Sequence, residues 1–210
     1  MENPQCAICR REGAKLFLKG DRCFSQKCQI VRRPFPPGPK RKRGGRSLSE
    51  YGKELAEKQK LRNWYNLGER EFKNYVKSVL QKRSKKAEDP VDLLVKNLET
   101  RLDNVVFRLG FGNSRGRARQ LVSHGFFMVN GKLIDTPSYR VAKGDLVKVS
   151  PTKIKKSAIQ SLAPLLKKVK APSWLALDAE KLEGKVTGLP TVEETNPPAE
   201  ISVIFEFYSR

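Results

Sequence analysis

Apolar residues recur at helical spacing through the first half of the chain and in shorter runs afterwards. Ser47 and Glu50 form a capping box, opening a predicted helix on which Tyr51, Leu55 and Tyr65 lie near one stripe. Phe72, Tyr75, Val76, Val79 and Leu80 define a second amphipathic helix. Asp89-Pro90 is an N-cap with proline at the first helical position. From there Val91, Leu94, Val95, Leu98, Leu102, Val105, Val106 and Leu109 hold helical period until Gly110. These stripes read as core. Ser114 caps the next helix and Gly125 closes it; Ala118, Leu121 and Val122 share its apolar face. Phe126 to Val129, the Asn130-Gly131 turn and Lys132-Leu133-Ile134 predict a β-hairpin. The turn Lys143-Gly144-Asp145 leads into another strand, Leu146 to Val149. After Ser150 the helical signal weakens, and Pro172, Pro190, Pro197 and Pro198 interrupt the chain. Ile201, Val203, Phe205 and Phe207 alternate, predicting a closing half-buried strand. The expected class is α+β, with an arm over 1–46, a helical domain over 47–98, and an α+β domain over 99–198 whose core is 99–150. The strand within 199–210 is expected to pack back on the helices of 47–98.

Charge changes the picture. The 210 residues carry 43 lysines and arginines against 22 acids, a net +21, which points to a polyanionic partner. Residues 1–62 hold 17 basic and 6 acidic side chains, residues 99–150 hold 9 and 4, and the last sixty are nearly balanced at 9 and 7. The N-terminal third is therefore the expected main electrostatic contact. Its Lys40, Arg41, Lys42, Arg43 and Arg46 follow a Pro-rich run, Pro34 to Pro39, and have almost no folding propensity; they read as a tail that orders on RNA. On the predicted helix after Ser114, Arg115, Arg117, Arg119 and Gln120 cover the side opposite the core, a pattern suited to an RNA backbone. No apolar run reaches eighteen residues, so no membrane span is expected. Met1-Glu2-Asn3-Pro4 lacks the features of a signal peptide, which predicts a cytosolic, reducing setting.

All four cysteines fall in the first 28 residues, as Cys6-x2-Cys9 and Cys23-x4-Cys28. Two close pairs joined by a loop gather four sulfurs around one point, as tetrahedral zinc requires. Disulfides conflict with a reducing compartment, and buried free thiols with so weak a local core. An iron–sulfur cluster also takes four thiolates and stays open as the alternative. Zinc with four thiolates carries a formal −2. Arg10, Arg11, Lys19, Arg22, Lys27, Arg32 and Arg33 surround it and reverse the local sign. A structural knuckle that presents cations follows; a catalytic zinc needs an open position, and the sole histidine, His124, is remote in sequence.

Ser114-Arg115, Ala118 to Val122, His124-Gly125, Val129-Asn130-Gly131, Pro137 to Val141 and Gly144-Asp145 resemble the small RNA-binding module named after a primary binder of the small ribosomal subunit. The whole chain resembles the fourth protein family of the bacterial small subunit, in its metal-bearing four-cysteine branch. Carrying that resemblance are Lys15 to Gly20, Arg32-Arg33-Pro34, Glu57 to Arg62, Glu99-x-Arg101-Leu102-Asp103-Asn104, Pro172-x-Trp174-Leu175, Glu183 to Val186 and the terminal Phe205 to Arg210. Departures are Phe126, Gly116 and the absence of a His-Gly pair in the arm. The resemblance implies a non-enzymatic constituent that binds the 5′ domain of small-subunit rRNA at a multi-helix junction and nucleates assembly. It also implies contact with neighbouring small-subunit proteins, an influence on decoding accuracy, and a place beside mRNA where it enters. With the positions already named, Lys58, Lys60, Arg62, His124, Asn130, Lys132 and Tyr139 complete the expected RNA-binding set; no small-molecule substrate is expected. Two rivals are weaker. Arg101-Leu102-Asp103 echoes the nucleophile tripeptide of pseudouridine synthases, but it precedes the module, and helical period makes Asp103 a surface or ion-pairing residue. A transcription or mRNA regulator is the other.

Overall fold

The computed structural model describes residues 4–39, 48–83, 89–160, 162, 166 and 169–209. Its helices begin with α1 (Pro4–Glu12), α2 (Asp21–Phe24), α3 (Gln29–Arg32), α4 (Glu50–Trp64), α5 (Glu69–Arg83), α6 (Pro90–Glu99), α7 (Leu102–Arg108) and α8 (Arg115–Ser123). Strands β1 (Phe127–Val129), β2 (Lys132–Leu133) and β3 (Leu146–Val149) follow, then a 3-10 turn (Pro151–Lys153) and α9 (Ser157–Gln160). The chain continues through β4 (Leu175–Asp178), β5 (Glu183–Val186), α10 (Val192–Thr195) and α11 (Ile201–Ser209). The class is mixed α+β. Two compact units emerge, Met1–Val91 with Asn196–Arg210, and Asp92–Thr195.

In the first unit α4 starts two residues later than its capping box predicts. The cap is Ser49, whose hydroxyl accepts from Gly52 N at 3.2 Å. Ser47 lies outside the described residues, and Glu50 is the first helical position. Leu61 and Trp64 of α4 and Phe72, Val76 and Val79 of α5 are buried. The chain end is not a strand. Ile201–Ser209 is helical and packs on α4 and α5. Ile201, Ile204 and Phe205 are buried, a spacing of three and one that belongs to a helix. Ile204 adds a helical spacing to the alternating Ile201, Val203, Phe205 and Phe207, so both periods are present, and docking on two helices selects one.

The second unit is built around a five-stranded antiparallel sheet of order β2-β1-β3-β5-β4. Asn130 and Gly131 both hold positive φ, 49° and 81°, as the two-residue hairpin turn between β1 and β2 demands. The expected unbroken helix from Val91 to Leu109 is interrupted. Arg101 is extended (φ −66°, ψ 139°) and bridges Arg140, while Leu102 N donates to Tyr139 O at 2.8 Å and Val141 N to Thr100 O at 2.9 Å. A pairing with a distant segment thus splits one apolar stripe into α6 and α7. The hairpin β4–β5 was not anticipated, partly because Gly184 weakens β5 as a strand signal. Glycine is needed there: a Cβ would stand 2.5 Å from Leu109 Cδ1. Helices α7 and α8 pack together, and their Leu102, Val105, Val106, Leu109, Ala118, Leu121 and Val122 meet Phe127, Val129, Val147 and Val149 of the sheet in one core.

Candidate nucleic-acid interface

Helix α8 is fixed by its cap and by carboxylates beneath it. The Ser114 hydroxyl accepts from Arg117 N at 3.3 Å, and Ala118, Leu121 and Val122 root the helix in the core. Arg115, expected on the outer face, is buried: its Nε donates to Asn104 Oδ1 at 2.9 Å and its guanidinium lies 4.6 Å from the Phe107 ring centroid. Asn104 Nδ2 donates in turn to Glu99 Oε2 at 2.5 Å, and Arg108 pairs with both Glu99 oxygens at 2.9 and 2.8 Å. Glu99 is fully buried. One turn along α8, Arg119 Nη1 lies 3.3 Å from Asp103 Oδ2, and its side chain is a third exposed. Asp103 also receives Arg101 Nε and Nη2 at 3.0 and 2.8 Å. Asp103 is therefore a buried ion-pairing residue, tied to two guanidiniums, and not a surface one.

What α8 offers outward is Arg117, Gln120 and His124, all exposed, with Arg119 at their edge. Arg117 Nη1 donates to Gln120 Oε1 at 2.7 Å, so the two side chains form one polar surface. Lys132 and Tyr139 are exposed beyond the hairpin. Asn130 is exposed, but its amide is occupied: Oδ1 accepts from Leu146 N at 2.9 Å and Nδ2 donates to Asp145 Oδ1 at 2.8 Å. It pins the turn to β3.

In the first unit α1 carries Cys6 and Cys9, α2 carries Cys23, and Cys28 stands before α3. All four thiols are free, and three of them are buried. They line one pocket with Lys15, Leu18 and Lys19, and among the described residues no carboxylate or imidazole lines it. Burial pushes the Cys9 and Cys23 thiols up; backbone N–H groups of Leu16 and Lys19 pull back, and the neighbouring cysteines push further. Among the described residues, no three His, Cys, Asp or Glu side chains are gathered closely enough to hold an ion as they stand. The donor chemistry nevertheless fits a thiophilic cation.

The expected cations of this unit divide into two kinds. Arg11, Arg22, Arg32 and Arg33 are exposed and Lys19 half-buried. Arg10 is buried, donating to Phe35 O at 2.8 Å and Pro36 O at 3.4 Å with its guanidinium 5.2 Å from the Phe35 ring. It ties the Pro-rich run to α1. Lys58 is buried as well: Nζ lies 2.6 Å from Glu69 Oε1, 4.7 Å from the Phe207 ring and 5.8 Å from the Tyr208 ring. Lys60 and Arg62 are partly buried and paired, with Glu57 at 2.5 Å and Glu69 at 2.9 Å. Lys40, Arg41, Lys42, Arg43 and Arg46 lie outside the described residues. Missed from sequence were Glu99, Asn104 and Arg108, whose signal was polar residues beside or within an apolar stripe.

A basic helix braced by buried carboxylates on a small antiparallel sheet, joined to a cationic cysteine-rich unit, defines a nucleic-acid-binding protein of the RNA-module class. Residues 1–95 match the ribosomal protein S4/S9 N-terminal domain and residues 100–147 the S4 domain. Small ribosomal subunit protein uS4 of Caldicellulosiruptor bescii is 45% identical over 207 residues, 99% of this chain and 97% of that protein. The same protein of Dictyoglomus turgidum is 46% identical and that of Thermus thermophilus 45%, each over the same shares. The chain belongs to the uS4 family of small-subunit ribosomal proteins. Among the described residues, no helix is long and apolar enough to cross a membrane.

Proposed function

We propose that this chain, a non-enzymatic structural constituent of the small ribosomal subunit that binds its rRNA, is a primary binder that docks on the 5′ domain at a multi-helix junction and nucleates assembly. The observation that carries this reading is the braced surface of α8, where Arg117, Gln120 and His124 point outward beside Arg119. Junctions are read through phosphates and 2′-hydroxyls, which suits fixed guanidinium and amide groups more than a base-reading helix. Lys132 and Tyr139 belong to the same unit as this surface; Arg11, Lys19, Arg22, Arg32 and Arg33 of the first unit, and by sequence alone the tail from Lys40 to Arg46, are further proposed RNA contacts. Contacts with neighbouring small-subunit proteins, with mRNA where it enters, and an influence on decoding accuracy belong to the same reading.

Cys6, Cys9, Cys23 and Cys28 would hold one structural zinc, which would supply a cross-link joining α1 to α2 and to the start of α3. A described lining of four thiols with lysine, glutamine and aliphatic side chains supports a closed, non-catalytic site. Elemental analysis with visible absorption separates zinc from the iron–sulfur alternative. Chemical footprinting of the full chain on purified small-subunit rRNA tests the main reading. Protection should cluster at a helix junction of the 5′ domain, and affinity should fall steeply with salt as counterions are released. Protection elsewhere, or affinity insensitive to salt, would overturn it.

A further inference from the structure

Two phenylalanines project from the cysteine knuckle. Phe24, the last residue of α2, is 74% exposed, while Phe17 is half-buried. Their rings lie 5.0 Å apart between centroids and are inclined by only 30°. Phe17 holds φ at 54°, a conformation that a bulky side chain rarely adopts and that persists only where surroundings enforce it. Lys15 Nζ stands 5.3 Å from the Phe17 centroid. From Lys15 to Arg33 the chain has six cations and a single carboxylate, Asp21. Arg22, Lys27, Arg32 and Arg33 among them are exposed.

We propose that Phe24, backed by Phe17, is a stacking platform for an unpaired base of the rRNA, a site distinct from the α8 surface. The inference rests on the rRNA-binding reading above. Every base has a π-face, so an exposed ring beside cations binds single-stranded nucleotides by stacking while the cations take adjacent phosphates. Beside the phosphate and 2′-hydroxyl contacts made to helical RNA, proteins engage unpaired bases in loops and bulges by splaying them onto aromatic rings. The charge argues for RNA over an apolar protein partner: a six-to-one cation excess over residues 15–33, with Lys15 Nζ 5.3 Å from the Phe17 ring, matches a phosphate backbone. Phe17 stiffens the platform, since its enforced backbone holds the second ring against the first.

The test is binding of the full chain to purified small-subunit rRNA across a salt series, for Phe24→Ala, Phe24→Leu and Phe24→Trp. Leucine keeps apolar area and removes the π-face. Alanine and leucine should both weaken binding about five- to 150-fold, the range for loss of one base–aromatic stack. The slope of log K against log salt should stay at the wild-type value, because no cation is lost. Tryptophan should bind at least as well as wild type, with its emission quenched by the stacked base. Unchanged affinity of the alanine and leucine variants would refute the platform and leave the patch to a protein neighbour. A flattened salt slope would refute it too, by showing that the substitution had disturbed the cationic surface. If wild type itself fails to bind rRNA, the functional reading fails and not only this inference.

Discussion

Asp103→Ala should destabilise the second unit far more than any substitution on the outer face of α8. The carboxylate receives two hydrogen bonds from Arg101, at 3.0 and 2.8 Å, and one from Arg119 at 3.3 Å. The side chains of Arg101 and Asp103 are 1% and 7% exposed. Removing the acid leaves a buried guanidinium without its bidentate partner, which costs about 3–5 kcal/mol. Arg119 is a third exposed and can turn to water, so its share is no more than about 1 kcal/mol. Against a domain stability of about 5–15 kcal/mol, the loss is large. Trp174 lies in this unit, 2% exposed, and Trp64 lies in the other. In a Trp64→Phe background, urea unfolding followed by Trp174 emission therefore reports the second unit alone. With a urea slope of about 2 kcal/mol per molar, the midpoint should fall by about 2 M. Arg101→Met with Asp103→Leu removes both charges and should recover most of that loss, because well-packed apolar pairs replace buried ion pairs at little cost. A single-variant loss below about 1 kcal/mol, or a double variant no better than Asp103→Ala, would refute this account.

Glu69 links acid to the first unit: burial alone would raise its carboxyl, but hydrogen bonds and charges from Lys58 and Arg62 outweigh it and hold the pKa below the usual value. A depressed folded pKa means stability present above the ordinary carboxylate range, about 4.3, and lost as pH falls below it. Glu69→Gln should therefore be less stable at neutral pH and converge on wild type in acid; parallel curves in acid titrations followed by Trp64 emission in a Trp174→Phe background would exclude the linkage. Phe207→Ala removes a ring 4.7 Å from Lys58 Nζ and 5.5 Å from Tyr51. Thermal melting should show a loss of about 2 kcal/mol from the cation contact alone, and an unchanged melt would make α11 an appendage. Chelation, or Cys23→Ser, should disorder residues 4–33 while circular dichroism retains α4, α5 and the hairpin at Asn130-Gly131. Collapse of the whole spectrum would place the cysteines in the main core.

Where structure depends on near neighbours, the sequence was readable. Asn130-Gly131 carries its turn in two residues, and Ser114 with Ala118, Leu121 and Val122 defines α8 within one segment. Failures share a cause, namely pairing with something distant. Arg101 leaves the helical path because Arg140 bridges it, which no local window contains. Ile201 to Phe207 offers an alternation and a helical stripe at once, and α4 and α5 decide between them. β5 is hidden by Gly184, which exists because Leu109 approaches too closely for a Cβ. The expected site fared similarly. Residue type and spacing picked out the cations and cysteines, but could not separate those facing outward from those facing in.

That separation bears on how a net charge of +21 acts. Arg10, Lys58, Arg101 and Arg115 are buried, each engaged with a carbonyl, an acid, an amide or an aromatic ring. They contribute to the long-range field but cannot touch a phosphate. The acids Glu99 and Asp103 look misplaced in a module built to bind a polyanion. Their oxygens are consumed by Arg108, Asn104, Arg101 and Arg119 instead of facing the RNA. Buried under the basic helix, they exchange some attraction for fixed position. An arginine held in place before RNA arrives loses less side-chain entropy on binding than one that must be ordered by it. The internal cations and acids thus set the geometry, and in the proposed reading the outward-facing Arg117 and Lys132, the partly exposed Arg119 and the knuckle arginines supply the contact.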